Sequence, residues 1–154
     1  MKFSMIALAA ATTVSAGCIK RGDDLNTLYD VTEFQASCVP HSAQCNYSFK
    51  VKQHASMETN GVSCSATGVA DAGNTLPAIT GGTCVDSSRT WKIVKSTDGL
   101  ALFVSQQISP ASYSEGVHQI NNSELEIVTS PNPNGNVQRY AGPADFPLDR
   151  PQYS

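Results

Sequence analysis

The sequence predicts an all-β protein: a single antiparallel β-sandwich or partly open β-barrel, stapled by two disulfides. Three observations carry that expectation. Residues 45–52 alternate, with Cys45, Tyr47, Phe49 and Val51 on one side and Asn46, Ser48, Lys50 and Lys52 on the other. Period two with one apolar face is a half-buried strand. Leu, Glu, Lys and Arg are sparse while Ser, Thr, Val, Gly and Asn are plentiful, which disfavours helix. Five cysteines accompany an N-terminal segment with the marks of export, and disulfides persist in oxidising compartments.

That segment, residues 1–16, reads as a signal peptide. Lys2 supplies the positive end, residues 5–14 an apolar run, and Val14-Ser15-Ala16 a small-residue cleavage site. The run is too short for a membrane span, and no later stretch approaches one. Lys20-Arg21 offers a second processing site of the eukaryotic secretory kind. A cut after Arg21 discards Cys18 and leaves an even four cysteines; without it, Cys18 remains as a free thiol. The expected domain then covers 22–148, with a tail at 149–154. Of the ten Lys/Arg only seven lie beyond Arg21, against all thirteen Asp/Glu, a net charge of −6. No basic cluster survives, which argues against nucleic acid or an anionic membrane as partner.

Residues 28–37 and 45–54 form a predicted hairpin. Phe34, Ala36 and Cys38 fall in phase on the first arm, Pro40 lies in the loop, and a Cys38–Cys45 bridge would pin the register. A third strand is expected over 61–67, carrying Cys64. Asp71-Ala72-Gly73-Asn74 is a turn, and Leu76-Pro77 with Gly81-Gly82 frames an irregular connection before Cys84. Cys64–Cys84 is the natural second bridge, although four cysteines allow three pairings. Strands follow at 89–96, with Trp91 and Ile93 on the core face, and at 100–104, apolar on both faces. Asp98-Gly99 between them is a hairpin signal. Shorter strands are expected at 116–120, at 124–129 with Leu125 and Ile127 inward, and at 137–140. The tail beyond Asp145 is expected to lie along the surface, held by Phe146 and Leu148.

Few residues of the chain fall in patterns that carry chemistry. The chain has no Gly-x-Ser-x-Gly elbow and no glycine-rich phosphate loop. His41, His54 and His118 are widely separated and fall in no metal-ligand spacing. Glu124 and Glu126 share a strand face, an arrangement that more often solvates a sheet than catalyses. Asn46-Tyr47-Ser48 and Asn121-Asn122-Ser123 are N-glycosylation sequons, at Asn46 and Asn121. The residues thus name no catalytic, cofactor-binding or metal site. The expectation is a small secreted domain, and such a domain usually acts by binding.

The run Val31-Thr32-Glu33-Phe34-Gln35-Ala36-Ser37-Cys38-Val39-Pro40-His41-Ser42, continued by Cys45-Asn46-Tyr47-Ser48-Phe49, resembles the fungal hypersensitive-response-inducing proteins. So do Met57-Glu58-Thr59, Gly82-Thr83-Cys84, Asp98-Gly99-Leu100 and Tyr140-Ala141-Gly142-Pro143. The resemblance covers roughly residues 28–148. It extends distantly to the Alternaria major-allergen β-barrel group, from whose cysteine layout this chain departs. It implies a secreted, extracellular, non-enzymatic fungal elicitor or effector that provokes plant defence by binding a host or apoplastic component, either a plant or apoplastic protein or a surface component. It assigns Cys38, Cys45, Cys64 and Cys84 to structural bridges and brings no catalytic residue and no cofactor. Two other expectations are kept. One is a barrel that binds a small ligand or a carbohydrate, with Tyr47, Trp91 and residues 100–104 lining the site. The other is a secreted hydrolase, which needs a cleft where His, Asp or Glu and Ser converge.

Overall fold

The structure is a computed structural model that describes residues 25–129, 131 and 135–152. The predicted signal peptide, Cys18 and the Lys20-Arg21 site lie outside those residues. The strands are β1 (Thr27–Cys38), β2 (Gln44–Gln53), β3 (Val62–Val69), β4 (Ile79–Cys84) and β5 (Thr90–Ser96). They continue as β6 (Gly99–Ser109), β7 (Ser112–Asn121), β8 (Leu125–Val128), β9 (Val137–Tyr140) and β10 (Phe146–Asp149). A 3-10 turn at Asn122–Glu124 leads into β8. Strands β1 to β7 pair in sequence order, every pair antiparallel, and β10 pairs with both β7 and β1. The result is a closed eight-stranded barrel, which leaves those strands no open edge. The β8–β9 hairpin hangs outside it, joined to β1 through Ser37 and Arg139.

The strands form where alternation is clean, and a bulge repairs the place where it fails. Tyr29 and Val31 are inward on β1, but so are Phe34, Ala36 and Cys38. A continuous strand cannot put odd and even positions on one face. The register with β2 slips between Thr32 and Gln35, and Glu33 sits there at φ 56°. One extra residue in a bulge switches the phase. It is held from outside the ladder: Glu33 N donates to Asp145 Oδ1 at 3.1 Å and Phe34 N to the Ala144 carbonyl at 2.8 Å.

Both disulfides join residues that face each other across a ladder. Cys38 pairs with Cys45 on β1–β2, and Cys64 with Cys84 on β3–β4, with Cα separations of 3.8 and 4.1 Å. In the chain-entropy account, loops of these lengths contribute roughly 2 and roughly 3 kcal/mol. The barrel interior is filled by side chains. Trp91 packs edge-on against Phe49 at 5.0 Å, and Phe34 contacts Phe49, Phe146 and Tyr140 at 5.9, 5.3 and 4.9 Å. Leu100, Leu102 and Val104 of β6 complete the core with Ile93, Ile120 and Leu148. A barrel of eight strands is just wide enough for side chains to fill.

Four expectations need correction. The stretch around Gly81-Gly82 is not an irregular connection but strand β4. It admits two glycines because a bulge lies between Ile79 and Gly82 and because Gly82 lies under an indole. Ile127 does not point inward; it is half exposed at 49 % on the outer β8–β9 hairpin, whereas Leu125 of the same strand is partly buried against the core. The strand expected at 116–120 extends over Ser112–Asn121, because the adjoining β6 is long enough to supply a partner for each residue. The segment beyond Asp145 is no surface tail. Phe146 and Leu148 enter the core, and β10 closes the barrel through residue 149, past the expected domain end at 148.

Candidate functional site

The expected ligand-lining residues divide between the two faces of the wall. Tyr47, Trp91, Leu100, Leu102 and Val104 are at most 2 % exposed and packed in the core. Tyr47 donates its hydroxyl to the Pro77 carbonyl at 2.7 Å, and burial pushes its phenol well above the ordinary range. Phe103 faces outward and is only partly covered, with Lys92 Nζ 4.7 Å from its ring centroid.

Outside the barrel, register assembles something that no local motif announces. Ser48 lies opposite Ser65, Ser65 opposite Thr83, Thr83 opposite Thr90, and Thr90 opposite Ser105. Gln35 extends the row on β1 and Glu115 on β7. Directly opposed residues share a face, so five hydroxyls stand side by side across β2 to β6. Adjacent strands are about 4.8 Å apart, which gives the hydroxyl row a length of about 19 Å measured around the curved wall of the barrel. Ser105 donates to Glu115 Oε2 at 2.9 Å, and Lys92 Nζ lies 3.7 Å from the same carboxylate.

Over β4 to β6 this row runs along a groove of about 370 Å³, bordered by Thr80, Gly81, Thr83, Thr90, Lys92 and Phe103. Two neighbouring glycines shape it from opposite sides. A Cβ on Gly81 would meet nothing within 4 Å, so the groove is open there. A Cβ on Gly82 would lie 2.3 Å from the Trp91 ring, so the indole occupies the space a side chain would need. Trp91 Nε1 donates to the Thr83 carbonyl at 3.1 Å, which ties the core to the groove wall.

The histidines are not brought together. His41 is in the exposed β1–β2 turn at φ 59°, and His54 pairs with Asp30 at 2.9 Å beside the start of β1. His118 lies on β7, stacked on Phe146 at 4.0 Å, and burial lowers its pKa. No group of three or more His, Cys, Asp or Glu side chains able to hold a metal occurs among the described residues. Glu124 and Glu126 have separate partners: Glu124 Oε2 accepts from Asn121 N at 2.8 Å, and Glu126 is bonded to Arg139. Asn46 is exposed on the outer face of β2, where its side chain accepts from Thr67 Oγ1 at 2.9 Å. Asn121 is exposed where β7 meets the 3-10 turn.

Arg89 belongs to no motif in the sequence. Its guanidinium is buried at one end of the barrel, where it makes a two-pronged bond to Glu58, both contacts 2.9 Å. It also donates to the Val51 carbonyl at 3.2 Å and to Gln106 Oε1 at 3.1 Å, and lies 5.8 Å from the centre of the Tyr29 ring. Hydrogen bonding from Arg89 holds the Glu58 carboxyl below its ordinary pKa, against the opposing effect of burial. Every strong donor in this cluster has an acceptor, so it caps the barrel end. A lone Arg before an apolar strand carries no signal that distinguishes this role. No helix among the described residues is long and apolar enough to cross a membrane. No protein-family model matches the chain, and comparison with curated proteins yields no match.

Proposed function

We infer that this is a secreted fungal elicitor-like protein that acts by binding a host or apoplastic component at its outer surface, without catalysing a reaction. The observation that carries this reading is the division of the barrel wall. Its inner face is spent on a filled, twice-stapled core, and its outer face offers a groove bordered by exposed hydroxyls. Two cross-strand disulfides suit an acidic, protease-containing space outside the cell. The signal-like residues 1–16, the sequons at Asn46 and Asn121 and the resemblance to hypersensitive-response-inducing proteins point the same way.

The test is infiltration of purified, disulfide-intact protein into leaves of several hosts. Localised cell death or induction of defence markers at micromolar doses is the expected result. A uniformly negative outcome, with the protein recovered folded from the apoplastic wash, rejects elicitation.

A further inference from the structure

We propose that the outer groove and its hydroxyl row bind an uncharged, β-linked polysaccharide, with the glycan chain lying across strands β4 to β6. This rests on the reading of the chain as an apoplastic binding protein and names the ligand of that same surface. Ser48, Ser65, Thr83, Thr90 and Ser105 present hydroxyls at successive strand positions. Each can both donate and accept, as can each hydroxyl of a sugar. The spacing between strands is close to the length of one hexose in an extended chain. Within the groove, successive sugars therefore meet Thr83, Thr90 and Ser105 on successive strands, a span of two spacings, or about 10 Å.

The groove adds what a row alone lacks. Phe103 supplies an aromatic face for the C–H side of a pyranose ring. Its present cover, Lys92, is held by a ring contact of 4.7 Å and a pairing of 3.7 Å to Glu115, and its side chain is 45 % exposed. Contacts of that kind between exposed groups are weak, so a sugar ring can displace the ammonium. Gly81 leaves the adjoining wall open.

Charge selects the class of polymer. Lys92 and Glu115 neutralise each other beside the groove, and the chain carries a net charge of −3. A polyanion such as pectate would meet repulsion instead of the basic cluster it needs. Composition argues against a protein as occupant, because the centres of protein interfaces favour Trp, Tyr and Arg anchors and this row presents Ser and Thr.

The experiment is co-sedimentation of the full secreted protein with microcrystalline cellulose, an insoluble β-1,3-glucan, chitin and, as the charged control, calcium polygalacturonate. Two variants accompany it. Thr83→Val with Thr90→Val removes two hydroxyls while keeping shape and β-branching, and Gly81→Leu fills the groove where space is open. Sedimentation with at least one neutral polymer, weakened about tenfold by either variant and absent with polygalacturonate, is the expected result. No sedimentation with any neutral polymer overturns the proposal, as does equal binding by the variants, with folding verified by circular dichroism. Preferential binding to polygalacturonate also overturns it. Retention on isolated plant cell walls that is abolished by protease, and not by glucanase or chitinase, assigns the surface to a protein and rejects the glycan. Leaf infiltration separates the two readings. Wild-type protein that elicits but never sediments sinks the glycan site alone; protein that sediments but never elicits sinks the elicitor reading alone.

Discussion

On β5, Trp91 and Ile93 are 2 % and 1 % exposed, whereas their neighbours Thr90 and Lys92 face outward. On β4 the contrast narrows to adjacent glycines: Gly82 is pressed against the indole, and Gly81 borders empty space. The same two strands thus obey two sets of constraints. Inside, shape is fixed by contact, and a single methyl group in the wrong place has nowhere to go. Outside, the hydroxyls of Thr83 and Thr90 are short, exposed and in register, and no core residue packs on them. Stability and recognition are therefore separable by face, which is the condition for altering one without the other.

The largest effect that tests this separation comes from the sulfur bridges. Reducing both disulfides should lower the free energy of unfolding by roughly 5 kcal/mol, measured by urea titration with and without reductant. Unchanged midpoints would mean that the core alone holds the barrel. Next comes the polar cap. Arg89→Ala takes the guanidinium from Glu58, which keeps only the Gln53 N–H, and from the Val51 carbonyl, and should cost about 3 kcal/mol. Glu58→Gln keeps a hydrogen-bonding group against the guanidinium and should cost about half as much.

Acidification gives a smaller effect with a defined sign. His118 has its folded pKa lowered from 6.5 by burial, with Glu124 and Asp149 opposing the shift. Stability from this group is complete above pH 6.5, falls as the pH drops through the lowered folded value, and then levels off. Glu58 behaves similarly at lower pH. Its pKa is lowered from 4.5, so its contribution is full above that value and is lost as the folded carboxyl protonates. Thermal melts from pH 8 to pH 3 should show two descending steps. His118→Gln should remove the upper step and leave the lower one.

Much of this was legible in the residues. The alternation at 45–52 located β2 and its inner face, and the cysteines flanking a polar loop gave the Cys38–Cys45 hairpin. Asp98-Gly99 marked the β5–β6 turn. Other features depend on partners distant in sequence. The bulge at Glu33 is held by Ala144 and Asp145, more than a hundred residues away, so nothing local to β1 announces it. Phe146 and Leu148, between prolines in a short segment, looked like a tail because the partner strands of β10 are β1 and β7. The hydroxyl row is invisible for the same reason. Ser48, Ser65, Thr83, Thr90 and Ser105 follow no sequence period; only the pairing register lines them up. Arg89 was hidden because burial of a charge depends on its partner, and Glu58 comes from another loop.

The separation of faces is tested most directly by two substitutions one residue apart. Urea unfolding of Gly81→Ala and Gly82→Ala should differ sharply. Gly82→Ala drives a methyl into Trp91 and should lose about 2 kcal/mol or more, with a changed tryptophan emission spectrum. Gly81→Ala enters open space and should leave stability within about 0.5 kcal/mol of the parent or slightly above it. Equal losses at the two positions, or a larger loss at Gly81, would contradict a wall that is packed inside and open outside.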